Sequence, residues 1–306
     1  MKIGVFAHNR DFFGAKLIHI PLIYTLYSKY KGAEISVLTP YKNNELFLKT
    51  GIVKNVFFYE SNLFSILKIL NENKFNMIIS LRNKSIPVNL GVLLAKAEEK
   101  IGFSGGISNF VYKKSILYRK DIYRAVLFNS LIENPLPINE YFKRFDCDLR
   151  LKSIAYKKIF ILPGAGGDFK KWNIDNFIKV CESLGGNFYY VFVCGEREKK
   201  DLEVIDNFLS KHRGEILYNP EVDKLISYFH AGDLFISNDC GPSHIARMML
   251  KPIITIYSNF YGDGEKVIKE WFLTYKNSHY LLGDQGKSIN TVKIEDVIER
   301  VNKILN

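Results

Sequence analysis

The chain has 306 residues, about twice the ~150 of a typical domain, which predicts two domains. Hydrophobic residues at 47% and charged residues at 25% exclude a disordered chain, a collagen-like fibre and a disulfide-stapled miniprotein. The net charge of +11 is uneven: residues 1–150 carry 22 Lys/Arg against 12 Asp/Glu, and residues 151–306 carry 21 against 20.

In chain order, Lys2–Ala7 reads as a strand and Ala15–Lys31 as a helix whose apolar face is broken by polar positions. Glu34–Leu38 and Asn55–Tyr59 read as further strands, Ser61–Asn71 as a helix and Met77–Leu81 as the next strand. Strands separated by helices imply βαβ units and a parallel sheet. A less regular stretch follows, with a helix around Asp121–Glu133. Asn134-Pro-Leu-Pro137 then punctuates the chain, because proline withholds a backbone donor and disfavours helix in the residue before it. After Lys152 the rhythm restarts. Lys158–Leu162, Tyr189–Cys194, Leu234–Ser237 and Pro252–Tyr257 read as strands. Ile174–Leu184, Lys199–Lys211, Val222–Ala231, Ser243–Leu250 and Val292–Leu305 read as helices. The expected architecture is α/β: two αβα sandwich domains, residues 1–150 and 151–306, joined near 134–152.

Cys147, Cys181, Cys194 and Cys240 lie far apart without CxxC or CxxH pairing, which argues against a zinc ribbon and a disulfide framework. No apolar stretch approaches the ~20 residues that span a bilayer, and the start MKIGVFAHNR lacks a signal peptide's build. A reducing cytoplasm is the expected home. The basic first half suggests an anionic partner such as nucleic acid, acidic lipid or a phosphorylated glycolipid. Its cations are dispersed, which argues against sequence-specific nucleic-acid recognition.

In open parallel sheets ligands bind beyond the carboxyl ends of the strands, and three loops of the second half fit that place. The first, Pro163-Gly-Ala-Gly-Gly-Asp-Phe-Lys-Lys-Trp172, has glycines that let a backbone pass close to phosphate, with Lys170 or Lys171 as the cation. It lacks the Gly-Lys-Ser/Thr ending of a P-loop, and a plain glycine-rich turn would look the same. The second, Cys194-Gly-Glu-Arg-Glu198, offers a carboxylate that could accept ribose hydroxyls or simply favour a helix's first turn. The third, Ser237-Asn-Asp-Cys-Gly-Pro-Ser-His-Ile-Ala246, turns through Gly-Pro into a helix whose N–H groups could meet a diphosphate. Asp239 or Ser243 could instead serve as its N-cap. Asp146-Cys147-Asp148 has the Asp-x-Asp form that holds a divalent cation elsewhere, but it lies away from these loops. Val5–Gly14 lacks GxGxxG, which argues against an NAD-dependent dehydrogenase.

Together the three loops resemble, in order and spacing, those of glycosyltransferase family 9, the ADP-heptose:lipopolysaccharide heptosyltransferases. The matching residues are Lys170 with Trp172, Gly195 with Glu198, and Asp239, Gly241 and His244, followed by Ala246 and Pro252. A thinner match covers Ser80-Leu-Arg82 and Lys100-Ile-Gly-Phe103. The resemblance implies a GT-B fold, two Rossmann-like domains facing a central cleft, with the acceptor on the N-terminal domain and the nucleotide sugar on the C-terminal one. The last helix could pack back on the N-terminal domain. Carried over by position, the nucleotide-sugar residues are Gly164, Lys170, Glu198, Asp239, Cys240, Gly241 and His244. Lys170 would neutralise the diphosphate, Glu198 hold the ribose and Asp239 engage the sugar, with the base near Asn219–Val222.

The implied reaction is inverting transfer without metal or other cofactor, from a nucleotide sugar (ADP-heptose) to an anionic lipopolysaccharide-type glycolipid. The implied place is the cytoplasm, in peripheral contact with the inner face of the inner membrane, with no nucleic acid involved. One departure concerns catalysis. The family's Gly-Asp pair at the start of the first helix, whose aspartate is the presumed general base, is Gly14-Ala15 here. Asp11 in the same loop is the expected substitute, with His8 and His19 as weaker candidates. Alternatives are another UDP- or ADP-sugar donor serving capsule or O-chain synthesis, or a protein that binds nucleotide sugar without transferring it.

Overall fold

The computed structural model describes residues 1–7, 11–42 and 45–305, the side chain of Ile107 excepted. They form two units, Met1–Tyr141 and Phe142–Asn306.

The first unit holds β1 (Lys2–Phe6), β2 (Glu34–Thr39), β3 (Asn55–Phe58), β4 (Met77–Ser80), β5 (Glu99–Ser104) and β6 (Lys114–Leu117). The second holds β7 (Lys157–Leu162), β8 (Phe188–Cys194), β9 (Gly214–Tyr218), β10 (Leu234–Asn238), β11 (Ile253–Tyr257) and β12 (Ser278–Leu282). The sheet orders are β3-β2-β1-β4-β5-β6 and β12-β11-β10-β7-β8-β9, and every pairing is parallel. Each half thus repeats the doubly wound nucleotide-binding order 3-2-1-4-5-6. Two such units constitute the GT-B fold.

The strands read from the sequence are the buried ones together with the edge strand β3, which is half-buried but carries the apolar pair Phe57–Phe58. β4, β10 and β11 are buried along their whole length and appear as unbroken apolar or near-apolar runs, as strands covered on both faces must. The strands that the apolar pattern does not reveal are β5, interrupted by Gly102, and the edge strands β6, β9 and β12, which are largely exposed or half-buried. An edge strand packs one side only and keeps polar residues. The expected helix over Ala15–Lys31 is two helices, Phe13–Leu17 and Ile20–Lys29, with Pro21 in the first turn of the second. Proline's missing N–H and its clash with the preceding turn stop the first helix there. The expected helix over Asp121–Glu133 is confined to Arg124–Asn129.

Residues 142–153 belong to the second unit because they dock on its helix Val222–Ala231. His230 Nε2 lies 2.8 Å from the Phe142 carbonyl, and Ser227 Oγ donates to the Asp146 carbonyl at 2.8 Å. Arg150 donates to Glu215 at 2.7 Å and to the Tyr228 hydroxyl at 2.7 Å. Asp148 caps the helix Leu149–Ser153 by accepting from the Leu151 N–H at 2.8 Å. The Asp-x-Asp segment thus has local structural partners, and no cluster of three or more His, Cys, Asp or Glu suited to a metal occurs among the described residues. The closing helix, Ile294–Leu305, packs on the helix Ile174–Leu184, its Val297 and Val301 joining the second unit's core. No helix among the described residues is long and apolar enough to cross a membrane.

Candidate functional site

In the second sheet β7 and β10 are neighbours, and chain order reverses between them. The crevice beyond their carboxyl ends is the place a doubly wound sheet offers a ligand. The loop after β7 runs from Pro163 to Trp172, and the segment after β10 runs from Asp239 into the helix Gly241–Met248. β8, beside β7, leads into Gly195 and the 3-10 turn Glu196–Asp201. Lys170, Glu198 and Asp239 therefore belong to three adjacent strand ends of one sheet.

Asn238, the last residue of β10, holds the glycine-rich loop in shape. It is fully buried. Its Nδ2 donates to the Pro163 carbonyl at 2.7 Å, and its Oδ1 accepts from the Trp172 N–H at 3.1 Å. One amide thus ties both ends of the loop to the neighbouring strand. Trp172 anchors the far end: its indole is buried in the core, stacked edge-on against Phe177 at 4.9 Å, with Nε1 donating to the Val292 carbonyl at 3.2 Å.

Between these anchors the two lysines part. Lys170 Nζ lies 3.4 Å from Asp239 Oδ2, with the lysine about a third exposed. Lys171 turns the other way, 2.5 Å from Asp201 and 3.8 Å from Glu198 in a largely buried setting. Of the two cations the sequence offers, Lys170 is the one beside the helix N-terminus, and Lys171 neutralises the carboxylates after β8. Glu198 Oε2 accepts the Gly195 N–H at 3.0 Å, so the glutamate does fasten its own turn, while its oxygens retain further lone pairs. A Cβ on Gly164 or on Gly195 would lie 3.4 Å from Glu198 Oε2. A Cβ would thus make an ordinary contact at either place, and both loops lie against the carboxylate. Asn219, at φ 43°, follows β9 and donates through Nδ2 to Glu196.

Asp239 does not cap the helix Gly241–Met248. The cap position is Cys240, and the Ser243 hydroxyl bridges it, donating to the Cys240 carbonyl at 2.7 Å and accepting from its N–H at 3.4 Å. Asp239 is free of capping and faces Lys170. Arg247, wholly buried one turn further, donates to Ser243 Oγ at 2.6 Å, to the Tyr257 hydroxyl at 2.6 Å and to the Trp271 carbonyl at 3.1 Å. Burial, reinforced by the charges of Arg247 and Lys170, holds the His244 imidazole well below its ordinary range and therefore neutral. Burial also pushes the Cys240 thiol up to about 12, so it is not a thiolate. The site joins a half-buried lysine paired with Asp239, the N–H groups at the start of an eight-residue helix and a neutral histidine. Such a cradle suits a diphosphate.

In the first unit, Asp11 is exposed at the start of the turn into Phe13–Leu17 and pairs with Lys16 at 2.7 Å. Ala15 is buried in that helix. His19 is buried between Phe47 and Phe128, with ring centroids 5.6 and 5.5 Å away, and burial lowers it to about 4. It is a core imidazole. His8 lies outside the described residues. Asn238 and Arg247 are the positioning groups that the motifs do not mark, and Lys171, one of the two candidate cations, takes a positioning place instead. Asn238 sits inside the quoted Ser237–Ala246 run, but an asparagine at a strand's end carries no mark of the loop it will hold.

Residues 63–263 match the family model for glycosyltransferase family 9 (heptosyltransferase). Lipopolysaccharide heptosyltransferase 3 of Escherichia coli K12 is 25% identical, over 95% of each chain. Lipooligosaccharide heptosyltransferase 2 of Campylobacter jejuni serotype O:6 is 24% identical, over 83% of this chain and 81% of its own. Among solved structures, E. coli heptosyltransferase WaaC with ADP-2-deoxy-2-fluoro heptose superposes with a TM-score of 0.71 at 13% identity, covering 99% of both chains. The likeness to that structure establishes the shared fold. The family match, spanning most of the chain and all three loops, establishes descent: this protein belongs to glycosyltransferase family 9.

Proposed function

We propose that the protein is an inverting glycosyltransferase that moves heptose from ADP-heptose onto a lipopolysaccharide core or related glycolipid. The observation that carries this reading is the meeting of Lys170 and Asp239 at 3.4 Å beside the start of the helix Gly241–Met248. The names of its relatives, heptosyltransferases of lipopolysaccharide and lipooligosaccharide, support the sugar and the acceptor class.

In this reading the second unit holds the donor. Glu198, braced by Lys171, accepts the ribose hydroxyls beside the backbone of Gly164 and Gly195. Lys170, the backbone around Cys240 and Gly241, and His244 meet the diphosphate. Asp239 accepts from hydroxyls of the sugar. The acceptor hydroxyl, presented by the first unit, attacks the anomeric carbon from the face opposite the diphosphate. A new C–O bond forms as the anomeric C–O bond to the β-phosphate breaks, and ADP departs with the bonding pair. Lys170 and the helix N–H groups stabilise the charge that develops on the leaving oxygens, a preorganised contribution of about 3 kcal/mol per donor lost. That charge is met by protein groups, so the reading calls for no metal. The acceptor's proton passes to Asp11, which takes the place of the carboxylate that Ala15 cannot supply. The basic first half attracts an anionic glycolipid and acidic lipid at the inner face of the inner membrane, an attraction that salt screens.

The test is transfer itself. The protein with ADP-heptose and a heptose-deficient lipo-oligosaccharide is expected to release ADP and to add one heptosyl mass to the acceptor. Turnover only with UDP-sugars or other ADP-sugars would move the protein to a different donor. ADP binding without product on any acceptor, together with activity gained by Ala15→Asp, would make it a nucleotide-sugar-binding protein.

A further inference from the structure

Three aromatic side chains stand together in solvent beside the diphosphate cradle. Phe169 comes from the loop after β7, and Phe260 and Tyr261 from the loop after β11. They are 40%, 44% and 68% exposed, yet they pack on one another. Ring centroids are 5.1 Å apart for Phe169–Tyr261, 5.1 Å for Phe260–Tyr261 and 6.4 Å for Phe169–Phe260. Lys170 Nζ lies 5.8 Å from the Phe169 ring.

Exposed aromatics on a mobile loop would mean little, but this loop is built. The Asn259 side chain accepts from the Gly264 N–H at 3.1 Å, and its carbonyl accepts from Gly262 at 3.0 Å and Gly286 at 3.2 Å. Gly262 takes φ 71°, the left-handed conformation that favours glycine. The Ser258 hydroxyl accepts the Phe260 N–H at 3.3 Å. The loop backbone is fixed while the rings, packed edge to face on one another, leave much of their surface to solvent, which forgoes the burial that normally stabilises aromatics.

Sheet order says what the rings face. Across the carboxyl ends run β8, β7, β10 and β11, with Glu198 after the first, Lys170 after the second, Asp239 after the third and the Phe260–Tyr261 loop after the fourth. Strands lie about 4.8 Å apart, so this row spans about 14 Å, comparable with a nucleotide sugar stretched from ribose to glycosyl ring. A ribose at Glu198 and a diphosphate at Lys170 leave the glycosyl end of the donor at β10 and β11.

We propose that Phe169, Phe260 and Tyr261 form a stacking face for the donor's glycosyl ring, receiving its apolar C–H face while Asp239 takes its hydroxyls. This rests on the donor reading above. An aromatic platform contributes affinity by covering apolar surface, and it selects for a pyranose whose C–H groups share one face.

The experiment is calorimetry of ADP and of ADP-heptose, without acceptor, on wild type, Phe260→Ala/Tyr261→Ala, Phe169→Ala and Tyr261→Phe. All three sites are exposed, and circular dichroism checks that each variant folds. The alanine variants are expected to keep ADP affinity within twofold and to lose ADP-heptose affinity about tenfold, while Tyr261→Phe, which keeps the ring, stays near wild type. Alanine variants that bind ADP-heptose like wild type overturn the stacking face and leave the donor reading standing. An equal loss for ADP alone overturns it as well, placing the nucleobase on these rings. Wild type that binds no ADP removes the donor reading, and this inference with it.

Discussion

Asn238 and Trp172 meet across the switch point of the second sheet: the asparagine's Oδ1 accepts the tryptophan's backbone N–H at 3.1 Å while its Nδ2 holds the Pro163 carbonyl at 2.7 Å. The pair fixes the length of the loop that carries Lys170. Asn238→Leu keeps the volume and removes both bonds, leaving a buried donor and a buried acceptor unsatisfied at about 1–3 kcal/mol each. Urea unfolding is expected to show a loss of about 2–4 kcal/mol, and ADP affinity should fall as well because the loop's anchors are gone. Unchanged stability would mean that the loop holds its shape without Asn238.

Lys171 is expected to act through Glu198 and Asp201. Lys171→Met leaves two largely buried carboxylates without their cation, a change that costs about 3–5 kcal/mol in comparable sites. Its mark on binding should be selective. If Lys171 positions the ribose acceptor, the variant loses discrimination between ADP and 2′,3′-dideoxy-ADP, measured as a ratio of dissociation constants. A loss equal for both nucleotides would limit Lys171 to a structural part.

Asp11→Asn is expected to lower turnover at least ~100-fold with ADP affinity nearly unchanged, the pattern of a lost general base. The ion pair with Lys16 at 2.7 Å gives a second arm: Lys16→Met removes the carboxylate's partner and should change turnover while ADP affinity stays nearly unchanged. Unchanged turnover in Asp11→Asn refutes the assignment.

The buried imidazoles set a pH dependence of stability. His19 is lowered to about 4 in the folded protein, against an ordinary value near 6.5 in the unfolded chain. Below about 6.5 the unfolded chain binds a proton that the folded one refuses, so stability falls as the pH drops from about 6.5 towards 4. For His19 alone the loss between pH 7 and pH 5 is about 2 kcal/mol. His244, held low by burial and by Arg247 and Lys170, acts in the same direction. Urea titrations at the two pH values should show a loss smaller by about that amount in His19→Gln. An equal loss in the variant would mean His19 is not held neutral.

Much of the fold was legible because the buried parallel strands announce themselves. Ile253–Tyr257 and Leu234–Asn238 need apolar residues on both faces, and periodicity finds them. Lys114–Leu117 and Ser278–Leu282 are edges with one partner strand each, and nothing in their composition compels a strand. At the site, the motifs gave Lys170, Glu198 and Asp239 their neighbouring strand ends. What spacing does not carry is direction: which of two adjacent lysines turns to Asp239 depends on the 3-10 turn Asp168–Lys170 and on where Asn238 pins the loop. Neither Asp239 nor Ser243 takes the cap position, which falls to Cys240, and the Ser243 hydroxyl that bridges Cys240 is held in turn by Arg247, four positions on. Long-range partners of this kind leave no local pattern.

The proposed site holds a single diphosphate between Lys170 and the start of the helix Gly241–Met248, with Asp239, 3.4 Å from Lys170, turned to the sugar beyond it. Calorimetric titration of ADP into wild type, Lys170→Ala and Asp239→Ala measures it directly. Wild type is expected to bind ADP tightly and Lys170→Ala at least tenfold more weakly, whereas Asp239→Ala, which has lost only the acceptor for the sugar's hydroxyls, should bind ADP no more weakly than wild type. ADP affinity in Lys170→Ala equal to that of wild type would overturn the diphosphate site.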